Sequence, residues 1–140
     1  DLPDVVQSTV KLFADDTKIY RSLVDDNQCN LLQKDLDNLS EWSDTCQLRF
    51  NASKCKSLHI GKKNTNHKYH MKEGDKQIEV IQTTEEKDIG VTFDNQLKFN
   101  IHINNIVKKA NQRLGLIRRS FEYMDKDMFI ILYKSLIRPL

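Results

Sequence analysis

From Ser8 to Leu23 the side chains alternate in character, and only Asp15-Asp16 breaks the alternation. Ser8, Val10, Leu12 and Ala14 interleave with Thr9, Lys11 and Phe13; after the aspartates, Ile19, Arg21 and Leu23 interleave with Lys18, Tyr20 and Ser22. A period of two is the pattern of a half-buried strand, and two such strands with so short a break between them are a β-hairpin with the aspartates at its tip. The period then changes. Asp25-Asp26-Asn27-Gln28 has the form of an acidic helix cap, and Cys29, Leu32, Leu36, Leu39, Trp42 and Cys46 follow at helical spacing, which predicts a helix over 26–47 with one apolar stripe. Further strands are predicted over 54–60 and 88–93, and a second hairpin over 68–71 and 76–81 around Glu73-Gly74-Asp75. Helices over 101–121 and 126–137 complete the chain, the last ended by Pro139. This order predicts an α+β fold with no linker or repeat.

The 22 Lys+Arg and 20 Asp+Glu nearly cancel, to a net charge of +2, but they are unevenly spread. Residues 1–60 carry 7 basic and 10 acidic side chains, residues 61–140 carry 15 and 10, and no acid lies between Asp94 and Glu122. An acidic front and a basic back suit a cation site followed by a polyanion-binding surface, although blocks of this size also occur on ordinary solvated faces. The longest unbroken apolar run, Met128 to Tyr133, is six residues, where crossing a bilayer takes roughly 20. Neither a membrane span nor a secretory signal is therefore expected. Cys29, Cys46 and Cys55 are odd in number and unlike a disulfide framework, which favours a reducing, intracellular compartment. The chain begins at Asp1 and stops at Arg138-Pro139-Leu140 directly after an apolar segment, and so reads as cut at both ends.

On the predicted helix 101–121, Ile103, Ile106, Val107, Ala110, Leu114, Ile117 and Phe121 share one face. Lys108, Lys109, Arg113 and Arg119 occupy the opposite arc, with Arg118 at the border, so one side should meet a core and the other present positive charge. The apolar side chains of the last helix, among them Phe129, Ile131 and Leu136, are too many for a free surface and call for partners. Trp42 and Tyr133 read as core. Cys55, His67 and His70 contain zinc-binding residue types, but Cys55 and His67 lie far apart and no fourth ligand is evident. Asp15 and Asp16 are adjacent carboxylates that repel each other unless solvated, protonated or bound to a cation, and a hard divalent ion is the natural counter-charge. Alone, the pair reads first as a polar turn, just as Asp25-Asp26 reads as a helix cap.

Context adds a resemblance. Phe13-Ala14-Asp15-Asp16, with its flanking strands, resembles the catalytic hairpin of reverse transcriptases, in the F-A-D-D form of non-LTR (LINE-type, jockey-like) retrotransposons. Leu32-Gln33-Lys34-Asp35-Leu36 through Trp42 is similar to that family's palm helix, and Asn51-Ala52-Ser53-Lys54-Cys55 to its N-x-x-K-T/C segment. Ile89-Gly90-Val91 with Asp94, Leu97 and His102-Ile103 is similar to its L-G-V-x-x-D-x-x-L…H-I stretch, with Ile89 in place of Leu. Leu132 to Leu140 is similar to the start of its next helical element.

The resemblance implies an RNA-directed DNA polymerase working by two-metal nucleotidyl transfer with Mg²⁺, or Mn²⁺ in its place. Asp15 and Asp16 would be the catalytic metal ligands, Phe13 the aromatic beside the primer end or incoming nucleotide, and Lys54 the ammonium near the triphosphate. Ile89, Gly90 and Val91 would form the primer grip, and Lys108, Lys109, Arg113 and Arg119 would track nucleic-acid phosphates. The implied partners are an RNA template, a DNA primer and deoxynucleoside triphosphates, without a membrane, and the parent element would act in the cytoplasm and nucleus. By this reading residues 1–97 are the C-terminal part of a polymerase palm, in split β-α-β style, and residues 98–140 the start of a helical thumb. The family supplies a third metal-binding aspartate from well upstream of the hairpin, and its fingers lie between the two; only Asp1 and Asp4 are available here. The chain alone is therefore expected to be inactive, awaiting the N-terminal palm and fingers, and nothing in it resembles an endonuclease. The alternatives are a non-catalytic nucleic-acid-binding remnant or repurposed module, and a remnant that does not fold.

Overall fold

The computed structural model describes residues 2–139 and divides into two compact units, residues 1–84 and 85–140. It is a mixed α+β fold. The expected division at 97/98 falls inside the second unit, in the loop before its long helix. Among the described residues no helix is long and apolar enough to cross a membrane.

In the first unit a hairpin of β1 (Thr9–Phe13) and β2 (Asp16–Tyr20) leads into helix α1 (Asp26–Thr45). Asp25 caps α1 as the sequence predicts: its backbone is extended and its carboxylate accepts the Gln28 N–H at 2.9 Å. At the other end Gln47 turns left-handed (φ 56°), and the Leu48 and Gln47 N–H groups reach back to the Ser43 and Asp44 carbonyls, the two bonds of a Schellman stop. A 3-10 turn (Ala52–Lys54) follows, then β3 (Lys56–Leu58). Next come the hairpin of β4 (His70–Glu73) and β5 (Lys76–Glu79), and β6 (Ile81–Thr83), which runs parallel to β3. The stripe of α1 buries Leu36 and Leu39 against Leu2, Ala52, Tyr69, Met71 and Val80, with Val10, Ile19, Trp42 and Phe50 packed around them. Gln33 ties α1 to β4 by acting as a surrogate strand residue: its amide accepts the His70 N–H and donates to the His70 carbonyl, both at 2.9 Å.

The second unit opens with the hairpin of β7 (Glu85–Asp88) and β8 (Val91–Asp94), followed by α2 (Asn100–Ser120) and α3 (Lys126–Leu132). Asp125 caps α3 through the Met128 N–H at 2.8 Å, and the helix widens into a π-turn over Tyr133–Ile137.

Four expectations change. Among the described residues the strands do not join in one split β-α-β sheet but form four two-stranded ladders: in three, a short strand finds its partner across a tight turn, and in the fourth β3 and β6 pair in parallel. Lys54 lies in the 3-10 turn and not in a strand, since Asn51 accepts its N–H and starts the turn. Ile89-Gly90-Val91 is not mid-strand: Ile89 and Gly90 are the turn between β7 and β8, and Val91 opens β8. The apolar face of α2 is only partly covered, for Ile117 is buried but Ile103 and Val107 remain exposed, and Tyr133 is exposed and stacked on Phe129. A unit this small has too little other chain to cover a helix of that length.

Ile89 and Gly90 both have positive φ (44° and 83°), the requirement of a type I′ hairpin turn, which Asn-Gly meets without strain. A β-branched residue does not, and such a conformation costs about 1–3 kcal/mol. Because the Ile89 side chain is largely exposed, Ile89→Asn is expected to stabilise the fold by about 1 kcal/mol. A urea midpoint unchanged or lowered in this variant would contradict the strain.

Candidate functional site

Register fixes what the first hairpin presents. Phe13 pairs directly with Asp16, Lys11 with Lys18 and Thr9 with Tyr20, so these six share one face, and Val10 and Ile19 pair on the other, against the core. The turn itself is Ala14-Asp15, with Ala14 left-handed (φ 53°), so Asp15 is at the tip and Asp16 already belongs to β2. Both carboxylates are exposed, as is Phe13 beside Asp16. Lys54, exposed at the end of its 3-10 turn, belongs to the same unit. Among the described residues no three His, Cys, Asp or Glu side chains come together as a metal-holding group. Two adjacent carboxylates suit an ion such as Mg²⁺, which binds through one or two carboxylates, waters and substrate phosphates and seldom through a closed protein cage.

The second unit contains a groove of about 370 Å³ between the β7–β8 hairpin and α2. Lys87 and Thr92, directly opposite each other in the ladder, form one wall with Gly90. His102, Lys108 and Lys109 line the other, with the amides of Asn105 and Gln112, and none of the lining residues is acidic. The Thr92 N–H donates to His102 Nδ1 at 3.3 Å, which joins helix to strand. The groove thus unites Gly90 of the expected primer grip with two of the expected phosphate contacts. The other two are differently engaged: the Arg113 guanidinium donates to the Leu136 carbonyl at the end of the π-turn, and Arg119 Nε donates to the Gly115 carbonyl one turn back at 3.2 Å. Lys87 and His102 are not among the site residues expected from the sequence, although His102 falls in the matched L-G-V-x-x-D-x-x-L…H-I stretch; the signal for them is the polar face 102–105–109–112 of α2, which the neighbouring hairpin meets.

Asp94 holds that geometry. Its carboxylate accepts the N–H groups of Gln96 (2.9 Å), Lys98 (3.2 Å) and Phe99 (2.6 Å), winding the loop from β8 into the first turn of α2. Desolvation alone would raise its pKa, but these backbone donors together outweigh it and hold the carboxyl below the ordinary range. A depressed folded-state pKa contributes stability that is present above the unfolded value of about 3.9 and is lost as pH falls through the folded value. Asp94→Asn should therefore lower the melting temperature at pH 7, with the difference from wild type closing as pH falls below about 4. Parallel melting curves at all pH values would refute this.

No protein-family model, curated protein or solved structure matches the chain.

Proposed function

We propose that the chain is the catalytic-hairpin, palm-helix and first thumb portion of a non-LTR retrotransposon reverse transcriptase. The observation that carries this reading is the Asp15-Asp16 pair, exposed at the far end of a hairpin whose other end is tied to α1 through Ser8 and Arg21, with Phe13 directly across the ladder from Asp16. Asp15 and Asp16 would hold a divalent ion, which supplies charge neutralisation of the reacting phosphates when bound. Phe13 offers an exposed ring to the primer end or the incoming base, and Lys54 an ammonium to the triphosphate. The test is Mn²⁺ titration of the chain by electron paramagnetic resonance, with Asp15→Asn and Asp16→Asn as variants. The expected result is a loss of at least roughly tenfold in affinity in each, as for removal of a charged ligand. Binding indifferent to both substitutions would sink the assignment. With an RNA template, primer, Mg²⁺ and deoxynucleotides the chain alone should not extend the primer, since its two carboxylates are one short of the family's set.

The groove favours a second reading: a nucleic-acid-binding module without catalysis, in which Lys87, Lys108 and Lys109 neutralise backbone phosphates whatever the sequence. It predicts salt-dependent binding of RNA or DNA that is unchanged in Asp15→Asn.

A further inference from the structure

The β1–β2 hairpin packs on the core of its unit near its base. Val10 and Ile19 pack on the core, but Leu12 and Phe13 are more than half exposed. A lone two-stranded hairpin is marginal in water, so something at its base must fix both its pairing and its direction. The residues next to the last ladder pair, Thr9 and Tyr20, are Ser8 and Arg21. Both converge on Asp35, a carboxylate on α1 that is only 2% exposed. Asp35 Oδ1 accepts the Gln7 N–H at 2.9 Å; Oδ2 accepts the Ser8 N–H at 2.9 Å and the Ser8 hydroxyl at 2.5 Å. Arg21 Nη1 lies 3.5 Å from the same oxygen, donates to Ser8 Oγ at 3.1 Å, and its Nε donates to the Gln28 amide oxygen of α1 at 2.7 Å.

Burying a carboxylate is costly before compensation, and an apolar residue here would extend the α1 stripe at no such cost. What the charge provides is direction. Three donors from the strand entry and one guanidinium from the strand exit meet on one side chain, so the base can sit on α1 in a single register, with Val10 and Ile19 inward. A one-residue slip would turn every side chain of the hairpin over and send Asp16 to the opposite face. We propose that Asp35 is a positioning residue for the acidic hairpin: its clamp on Ser8 and Arg21 sets, from about 20 Å along the strand, how Asp15 and Asp16 are presented to a divalent cation. The proposal rests on the metal-binding reading of those aspartates.

The experiment compares wild type, Asp35→Asn, Ser8→Ala and Asp15→Asn by Mn²⁺ affinity and by amide hydrogen exchange, at a temperature where circular dichroism shows each variant folded. Asp35→Asn is expected to bind Mn²⁺ at least fivefold more weakly and to exchange the β1–β2 ladder amides at least tenfold faster, with the amides of α1 still protected. Ser8→Ala, which keeps the carboxylate and the backbone bonds, should show the same changes to a smaller degree, and it decides the matter if Asp35→Asn does not fold. Wild-type Mn²⁺ affinity in folded Asp35→Asn, while Asp15→Asn loses it, would overturn the proposal and leave the proposed function standing. If Asp15→Asn binds Mn²⁺ normally the proposed function fails, and the exchange data still judge the clamp: unchanged ladder protection in both clamp variants overturns it.

Discussion

Replacing Lys87, Lys108 and Lys109 together by alanine is expected to weaken single-stranded RNA or DNA binding on the order of a hundredfold at low salt, and to reduce the slope of log affinity against log salt by about two to three. The three lysines line one groove with no acidic residue among its lining, which favours the entry of a phosphate. Each ammonium that neutralises a phosphate releases a condensed counterion, and the slope counts those ions independently of any change in fold. Arg113→Ala provides the contrast: its guanidinium is engaged by the Leu136 carbonyl, so its removal should loosen the last helix more than it weakens binding. Fluorescence anisotropy of a labelled oligonucleotide across a salt series measures both quantities. A triple variant with the wild-type slope would show that the groove does not take phosphates.

Leu39→Ala is expected to cost about 2–5 kcal/mol, enough to unfold a marginal unit. Leu39 is 3% exposed at the centre of the α1 stripe, against Leu36, Tyr69, Met71 and Val80, and its loss leaves a cavity that the helix cannot close without pulling on β4 through Gln33. The single tryptophan, Trp42, lies one turn further along α1 and packs on Phe50, so its fluorescence reports this core directly in a urea titration. A midpoint within experimental error of wild type would mean that α1 is not the organiser of its unit.

What could be read from the sequence was local. The Asp25 and Asp125 caps, the 3.6-residue stripe of α1 and the two period-two strands of the first hairpin each depend on residues within a turn or two of one another, and each is found, although the hairpin turns at Ala14-Asp15, one residue earlier than expected, and Asp16 joins β2. The Ile89-Gly90 turn was hidden because apolar residues run through it, and such a run reads as strand whichever residues actually turn. Asp35 was visible as an acid three residues after Leu32 and four before Leu39, at the edge of a buried stripe. Nothing nearby in the chain showed that its partners are Gln7, Ser8 and Arg21.

The sequence by itself determined the three long helical segments and the first two hairpins in outline, the charge asymmetry and the resemblance that singles out Asp15 and Asp16, since periodicity, capping and motif all act through near neighbours. Only the tertiary structure decided that the strands pair in separate ladders, that Lys87 and His102 join Lys108 and Lys109 in one groove, and that Asp35 clamps the acidic hairpin. Those facts depend on which distant groups satisfy a buried charge or an open helix face, and no spacing along the chain encodes them.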